Sequence, residues 1–279
     1  MSTTGYWYTW DVRSPKTPWK ETSKDITFSE PFVAPPRLPI GLKCLDVSKD
    51  SNIRVAASAA NITKDSFKGS LNAWADTILY SAGASWLELA PGYLEYQTGV
   101  FSTTDDHSYN KPQLETSRRI NFERSFVTAP KVIVFLRHLD IDKNRNCRVL
   151  TKASGIDAKG FTIHINGWSD SILYSASAGW IAYPEDRPYV FSCTAHTMDV
   201  RPPNKPQLKN SKRIDFDGLK FWETPKIFMA INSLDFSCKA NLRIEVKATD
   251  VTQTGLTWHM ESWSDSIFFS AGVSILAVV

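Results

Sequence analysis

Much is missing from this 279-residue chain. No apolar stretch approaches the roughly 18 residues of a membrane-spanning helix, so no membrane insertion is expected. The N-terminus, Met-Ser-Thr-Thr-Gly-Tyr-Trp, has neither a basic region nor an apolar core. A secretory signal is therefore not expected, and the reading is cytoplasmic, with release by a non-classical route left open. Neither charge sign dominates: 32 basic residues face 29 acidic ones, and no basic run stands out. That argues against a nucleic-acid surface. No window keeps a 3.6-residue apolar period, so long helices are excluded. Cysteine is sparse, at four residues.

What is present is repetition. Trp-Ser-Asp-Ser-Ile-Leu-Tyr-Ser-Ala at 168–176 reads Trp-Ala-Asp-Thr-Ile-Leu-Tyr-Ser-Ala from Trp74 and Trp-Ser-Asp-Ser-Ile-Phe-Phe-Ser-Ala from Trp263. The same spacing, 94 or 95 residues, separates Pro18, Pro112 and Pro206, and Arg54, Arg148 and Arg243. A period that long exceeds the 20–50 residues of solenoids and blades and matches a small domain. Three units are expected, 1–92, 93–187 and 188–279, joined by short linkers at Pro91-Gly92 and Pro184–Pro188. Cys44, Cys147, Cys193 and Cys238 fall at four different places in the repeat, Cys44 aligning with His138 and Ser233. A disulfide belonging to the unit would recur, so free thiols are expected.

Each unit holds about six short β-rich runs between turn signals. The fold class is therefore all-β, as three tandem antiparallel β-sandwiches. Strand alternation then sorts the recurrent residues by face. In 161–168, Phe161, Ile163 and Ile165 oppose Thr162, His164, Asn166 and Trp168. Trp74 and Trp263 likewise fall on the polar face. Leu242, Ile244 and Val246 oppose Arg243, Glu245 and Lys247, and Arg54 sits opposite Ile53 and Val55. Each unit thus presents an Arg and a Trp on its polar side, with Tyr80, Tyr174 or Phe269 six residues beyond the Trp. Packing between units would also explain a recurrent Trp, and surface ion pairing a recurrent Arg. Asp76, Asp170 and Asp265 read as turn caps. Asp46, Asp140 and Asp235 read as strand-end turn residues.

Taken in order, Ile26-Thr-Phe-Ser-Glu-Pro-Phe, Pro35-Pro36, Leu45-Asp46-Val, Asn52-Ile-Arg54-Val, Phe67-Lys, Trp74 and Tyr80-Ser81 resemble the H-type lectins, three times over. The resemblance implies six-stranded sandwiches that form trimers, here a pseudo-trimer within one chain. It implies metal-free, cofactor-free binding of galactose or N-acetylgalactosamine between units. Carried over, one unit supplies Arg54, Arg148 or Arg243 with a loop polar residue, Asn110 or Asn204, replaced by Lys16 in copy one. Its neighbour supplies Trp74, Trp168 or Trp263, then Ala75, Ser169 or Ser264, and Tyr80 or Tyr174, replaced by Phe269 in copy three. On that grouping the site using Trp168, Ser169 and Tyr174 is expected to be the strongest.

The chemistry suits a sugar. A guanidinium fork can bridge adjacent hydroxyls. A Trp covering about 70 Å² of pyranose C–H face contributes on the order of 1.5–2 kcal/mol. One such site is weak, and three on one chain raise avidity by about 10²–10⁴. A multivalent, agglutinin-like carbohydrate binder, acting for example in cell adhesion, is the expectation, with further self-association left open. The alternative is a protein-interaction scaffold that kept the fold and lost the sugar. An enzyme is not expected, because a glycosidase needs two tuned carboxylates flanking one bond and no nucleophile–base set recurs.

Overall fold

The computed structural model describes residues 3–279. Eighteen strands follow in chain order. Copy one holds β1 (Thr3–Tyr8), β2 (Glu21–Thr27), β3 (Ile40–Val47), β4 (Ile53–Ala60), β5 (Ser66–Asn72) and β6 (Leu79–Glu88). Copy two holds β7 (Gln97–Ser102), β8 (Glu115–Asn121), β9 (Lys131–Ile141), β10 (Cys147–Asp157), β11 (Gly160–Asn166) and β12 (Leu173–Tyr183). Copy three holds β13 (Val190–His196), β14 (Lys209–Asp215), β15 (Lys226–Phe236), β16 (Leu242–Thr252), β17 (Gly255–Glu261) and β18 (Phe268–Val278). A three-residue 3-10 turn follows the first strand of each copy. No helix among the described residues is long and apolar enough to cross a membrane.

The strands form three six-stranded antiparallel sheets, and every sheet is shared. Their orders are β1-β6-β3-β16-β17-β14, β2-β5-β4-β9-β12-β7 and β13-β18-β15-β10-β11-β8. Each copy therefore splits into two three-stranded layers, and each layer continues into a different neighbour. The seams are β4 on β9, β10 on β15 and β16 on β3, which close a ring of three. The expected all-β fold of three antiparallel repeats is what the chain adopts, with the pseudo-trimer built through shared sheets.

Sharing explains a sequence pattern that simple alternation does not. Strands β9, β12, β15 and β18 are apolar on both faces. Val134 and Leu136 point into the sandwich core, while Ile133 and Phe135 point into a second cluster. That cluster also takes Leu87, Ile181, Phe228, Ala230 and Leu276, so all three copies feed it. Gly41, Phe135 and Ala230 occupy the same repeat position there. A Cβ at Gly41 would lie 2.6 Å from the Phe135 ring and 2.7 Å from the Ala230 methyl. One large side chain fills the space that three equal ones could not share.

A second ring runs through the turns that link β3 to β4, β9 to β10 and β15 to β16. Asn52 Oδ1 accepts from the Lys143 amide at 3.1 Å, Asn146 Oδ1 from Cys238 at 3.1 Å and Asn241 Oδ1 from Lys49 at 3.0 Å. Each asparagine thus holds the next copy. The four cysteines are free, with Cys44 and Cys147 buried.

The axial cluster makes a testable stability claim. Phe135→Ala should cost about 3–5 kcal/mol in urea unfolding, the usual toll of a buried Phe deletion. Val127→Ala, at a fully exposed tip, should stay within about 0.5 kcal/mol. Similar small losses from both would contradict a packed axis.

Candidate functional site

At every seam one arginine meets two aspartates. Arg54 on β4 pairs in register with Asp140 on β9, and its Nε lies 3.1 Å from Asp140 Oδ1. Its Nη1 donates to Asp76, on the turn after β5 of its own copy. Arg148 repeats this with Asp235 at 3.3 Å and Asp170 at 2.6 Å. Arg243 does so with Asp46 at 3.3 Å and Asp265 at 2.6 Å. Nη2 of all three arginines has no hydrogen bond among the described residues. The alternation that placed Arg on the polar face is the register that brings it opposite the next copy's aspartate.

The two carboxylates of each cluster are tuned in opposite directions. Hydrogen bonds from the arginines hold Asp76, Asp170 and Asp265 below the ordinary carboxylate range. Burial pushes Asp46, Asp140 and Asp235 up, partly offset by the same arginines. The inner carboxylate therefore depends on its guanidinium to stay ionised. The outer one is exposed, and at the second seam its other oxygen lies 3.8 Å from Arg145 Nη1.

The tryptophans stand on the turns that carry the outer aspartates. Trp74, Trp168 and Trp263 are all half-buried, each followed by an exposed small residue. That residue is left-handed in every copy: Ala75 at φ 54°, Ser169 at φ 60° and Ser264 at φ 59°. A non-glycine residue held there costs energy, and strain kept three times points to a required geometry. A hydroxyl fixes the turn from below. Thr77, Ser171 and Ser266 donate to the carbonyls of Asn52, Asn146 and Asn241 at 2.6–2.7 Å. At the first seam Trp74 stacks on His138 of copy two, with ring centroids 4.9 Å apart. His138 has no counterpart elsewhere, since Cys44 and Ser233 hold its position.

Tyr80, Tyr174 and Phe269 each precede the cross-strand partner of the inner aspartate, Ser81, Ser175 or Ser270. Tyr174 donates to Asp142 Oδ2 at 3.1 Å, and Asp140 and Arg54 lie within electrostatic reach of its phenol. The loops carrying Lys16, Asn110 and Asn204 belong on the same side. Arg13 ties the first loop to the Leu79 and Tyr80 carbonyls, and Arg201 ties the third to Phe268 and Phe269. Lys16, Asn110 and Asn204 are exposed and reach none of the arginine clusters by a direct bond.

This grouping differs from the expected one. Arg and Trp come from the same copy, and the Tyr and polar loop from the next. The first seam unites Arg54, Trp74 and Ala75 with Asp140, Tyr174 and the Asn110 loop. The second unites Arg148, Trp168 and Ser169 with Asp235, Phe269 and the Asn204 loop. The third unites Arg243, Trp263 and Ser264 with Asp46, Tyr80 and the Lys16 loop. Trp168 therefore lies at the seam to which the next copy brings Phe269, while Tyr174 lies at the seam of Arg54 and Trp74. The physical reason is that the arginine strand and the strand leading to the Trp are hydrogen-bonded neighbours in one layer, which places both at the same seam. Both aspartates were read as turn residues, yet both hold the arginine. Their recurrence in all three copies was the signal.

His138 gives a pH handle on the first seam. Burial, with Arg137 nearby, lowers its pKa from 6.5 to about 4. A depressed folded pKa gives stability that is complete above 6.5 and lost as pH falls toward 4. The loss should reach about 2–3 kcal/mol in urea unfolding. His138→Phe keeps the stack and should remove most of that slope. An imidazole titrating near 6.5 by NMR would contradict this.

The H-type lectin domain family matches at residues 23–87, 117–183 and 211–278, more than half of the chain. A protein of Fuscovulum blasticum described as ATP synthase subunits region ORF 7 is 34% identical over 70 residues, covering 25% of this chain and 61% of that protein. The chain thus spans about three-fifths of that relative's length. Recombinant discoidin II of Dictyostelium discoideum aligns at 13% identity and TM-score 0.29, over 52% of this chain and 73% of that one. Wild-type discoidin II aligns at 13% and TM-score 0.27, over 52% and 72%. The family match alone carries the assignment: the chain belongs to the H-type lectin domain family and carries its domain three times.

Proposed function

We propose that this protein is a multivalent lectin that binds terminal galactose or N-acetylgalactosamine at its three seams. The observation that carries the reading is the recurrent set of a clamped arginine with Nη2 unused, an exposed carboxylate and a half-buried Trp. A sugar hydroxyl both donates and accepts. It can accept a hydrogen bond from Nη2 and donate one to the outer aspartate. The Trp ring covers the C–H face beside an axial hydroxyl. One arginine against two carboxylates leaves the first and third clusters with a net negative charge, while Arg145 beside Asp170 balances the second. That favours neutral sugars over anionic ones. The residue after each Trp is small and left-handed, which leaves room for a substituent at the neighbouring carbon without fixing which sugar is preferred.

The seams are unequal on this reading. Only the first has both a loop asparagine, Asn110, and a phenol, Tyr174. The second has Phe269 in place of the phenol, and a lost hydrogen bond costs about 0.5–1.5 kcal/mol. The third has Lys16, a donor only, in place of the asparagine. Trp74→Ala should therefore reduce binding to a galactose-bearing surface more than Trp168→Ala or Trp263→Ala, with circular dichroism unchanged. Each site should lose on the order of 1.5–2 kcal/mol. A largest loss from Trp168→Ala would restore the other grouping. No loss from any of the three would favour the scaffold reading.

A further inference from the structure

The outer face of the β1-β6-β3-β16-β17-β14 sheet carries an aromatic platform that the other sheets lack. Tyr8, at the end of β1, lies flat across the sheet: a Cβ at Gly83 would meet its ring at 2.5 Å. Its hydroxyl donates to Glu245 Oε1 of copy three at 2.7 Å. Trp10 stacks on Tyr8 with centroids 4.0 Å apart and planes inclined by 13°. Tyr6 meets Tyr8 edge-on at 5.7 Å. The Lys43 ammonium lies 5.4 Å from the Tyr6 centroid and 5.9 Å from that of Tyr8. Trp10 is still 42% exposed and Tyr6 64%.

The turn presenting Trp10 is rigid. Thr9 Oγ1 accepts from the Ala82 amide at 3.0 Å, and Thr103 and Thr197 do the same for Ala176 and Ala271 at 3.1 Å. The turn recurs, but its cargo does not. Trp10 is replaced by Thr104 and Met198, Tyr8 by Ser102 and His196, and Tyr6 by Val100 and Thr194. The sandwich core of copy one does not need Trp10, since Trp7 and Trp86 already fill it.

The platform borders the third seam. Glu245 is two residues beyond Arg243 on the same face of β16, roughly 7 Å along the strand. Lys247 follows two residues later and pairs with Glu261 at 2.8 Å, with His259 3.7 Å from that carboxylate. Glu245 and Glu261 are matched by Lys43 and Lys247, so the strip offers an ionic partner no net charge. A flat exposed ring bordered by paired donors and acceptors suits a neutral pyranose.

We infer that the third seam is an extended oligosaccharide site. The terminal sugar sits at Arg243 and Trp263, and the next sugar of the same chain lies against Trp10, with Tyr6 and the Glu245–Lys247 edge taking its hydroxyls. This rests on the lectin reading and assigns one seam a longer ligand than the other two.

The test is fluorine NMR of the full chain labelled with 5-fluorotryptophan, with resonances assigned by their absence in Trp10→Phe and Trp263→Phe. Galactose should move the Trp263 resonance and leave that of Trp10 in place. A galactose-terminated tetrasaccharide should move both. Trp10→Ala should weaken the tetrasaccharide at this seam on the order of tenfold and leave galactose unchanged. A silent Trp10 beside a responsive Trp263 would overturn the subsite while leaving the lectin reading intact. A Trp10 that responds to galactose would make it a separate site and overturn the subsite. If neither moves with any sugar while Trp74 or Trp168 responds, the subsite falls and the lectin reading stands on the other seams; if no tryptophan resonance moves, both readings fail.

Discussion

Where β4 meets β9, only four residue pairs cross the seam: Ile53 with Ile141, Arg54 with Asp140, Val55 with Leu139 and Ala56 with His138. The other two seams are as short. So few backbone bonds do not choose a register by themselves. A slip by one residue would turn Arg54 into the core and Val55 out to solvent. The arginine–aspartate pair and the asparagine ring penalise that slip from two sides. Burial makes each inner aspartate expensive without its guanidinium. The same contact that fixes the register also builds the candidate site, so a folded ring necessarily displays three arginine clusters.

Joining three copies in one chain frees positions that separate, identical subunits would have to share. At the axis the chain uses glycine, phenylalanine and alanine at one repeat position, a combination no set of identical subunits offers. At the seams the same freedom appears as His138 beneath Trp74, Phe269 at the seam of Trp168, and the Tyr8–Trp10 platform beside Trp263. Packing constrains the axial divergence, because the volumes must add up. Nothing comparable constrains the seams, whose rims face solvent. The seam rims are where side chains can diverge between copies without cost to the fold.

Much of this was legible in the sequence. Period, strand number and the facing of Arg54, Arg148 and Arg243 follow from repetition and alternation, which are local properties. The partner of each arginine does not follow. Asp140 and Asp76 look alike as turn residues, and only the sheet-sharing topology distinguishes a bond to the same copy from a bond to the next. For the same reason Trp168 was grouped with Tyr174. They are six residues apart in sequence but belong to different layers of the copy, and so to different seams. The double-sided apolar strands β9, β12, β15 and β18 were likewise visible as composition, while their second face acquired meaning only with an axis to bury it against.

On the proposed reading, the charges already paired within these clusters suit them to a weak, neutral ligand. Each guanidinium already meets two carboxylates, through Nε and Nη1, and Nη2 is the nitrogen without a carboxylate partner among the described residues. That single donor, one carboxylate oxygen and one ring face make a small contact, and the strained turn after each Trp holds the three parts in place before any ligand arrives. Preorganisation lowers the ordering cost of binding but adds no contact area. Affinity beyond that must come from repetition of the site or from extension of it. The ring supplies the first at all three seams. The aromatic surface of copy one lies where it can supply the second at one of them.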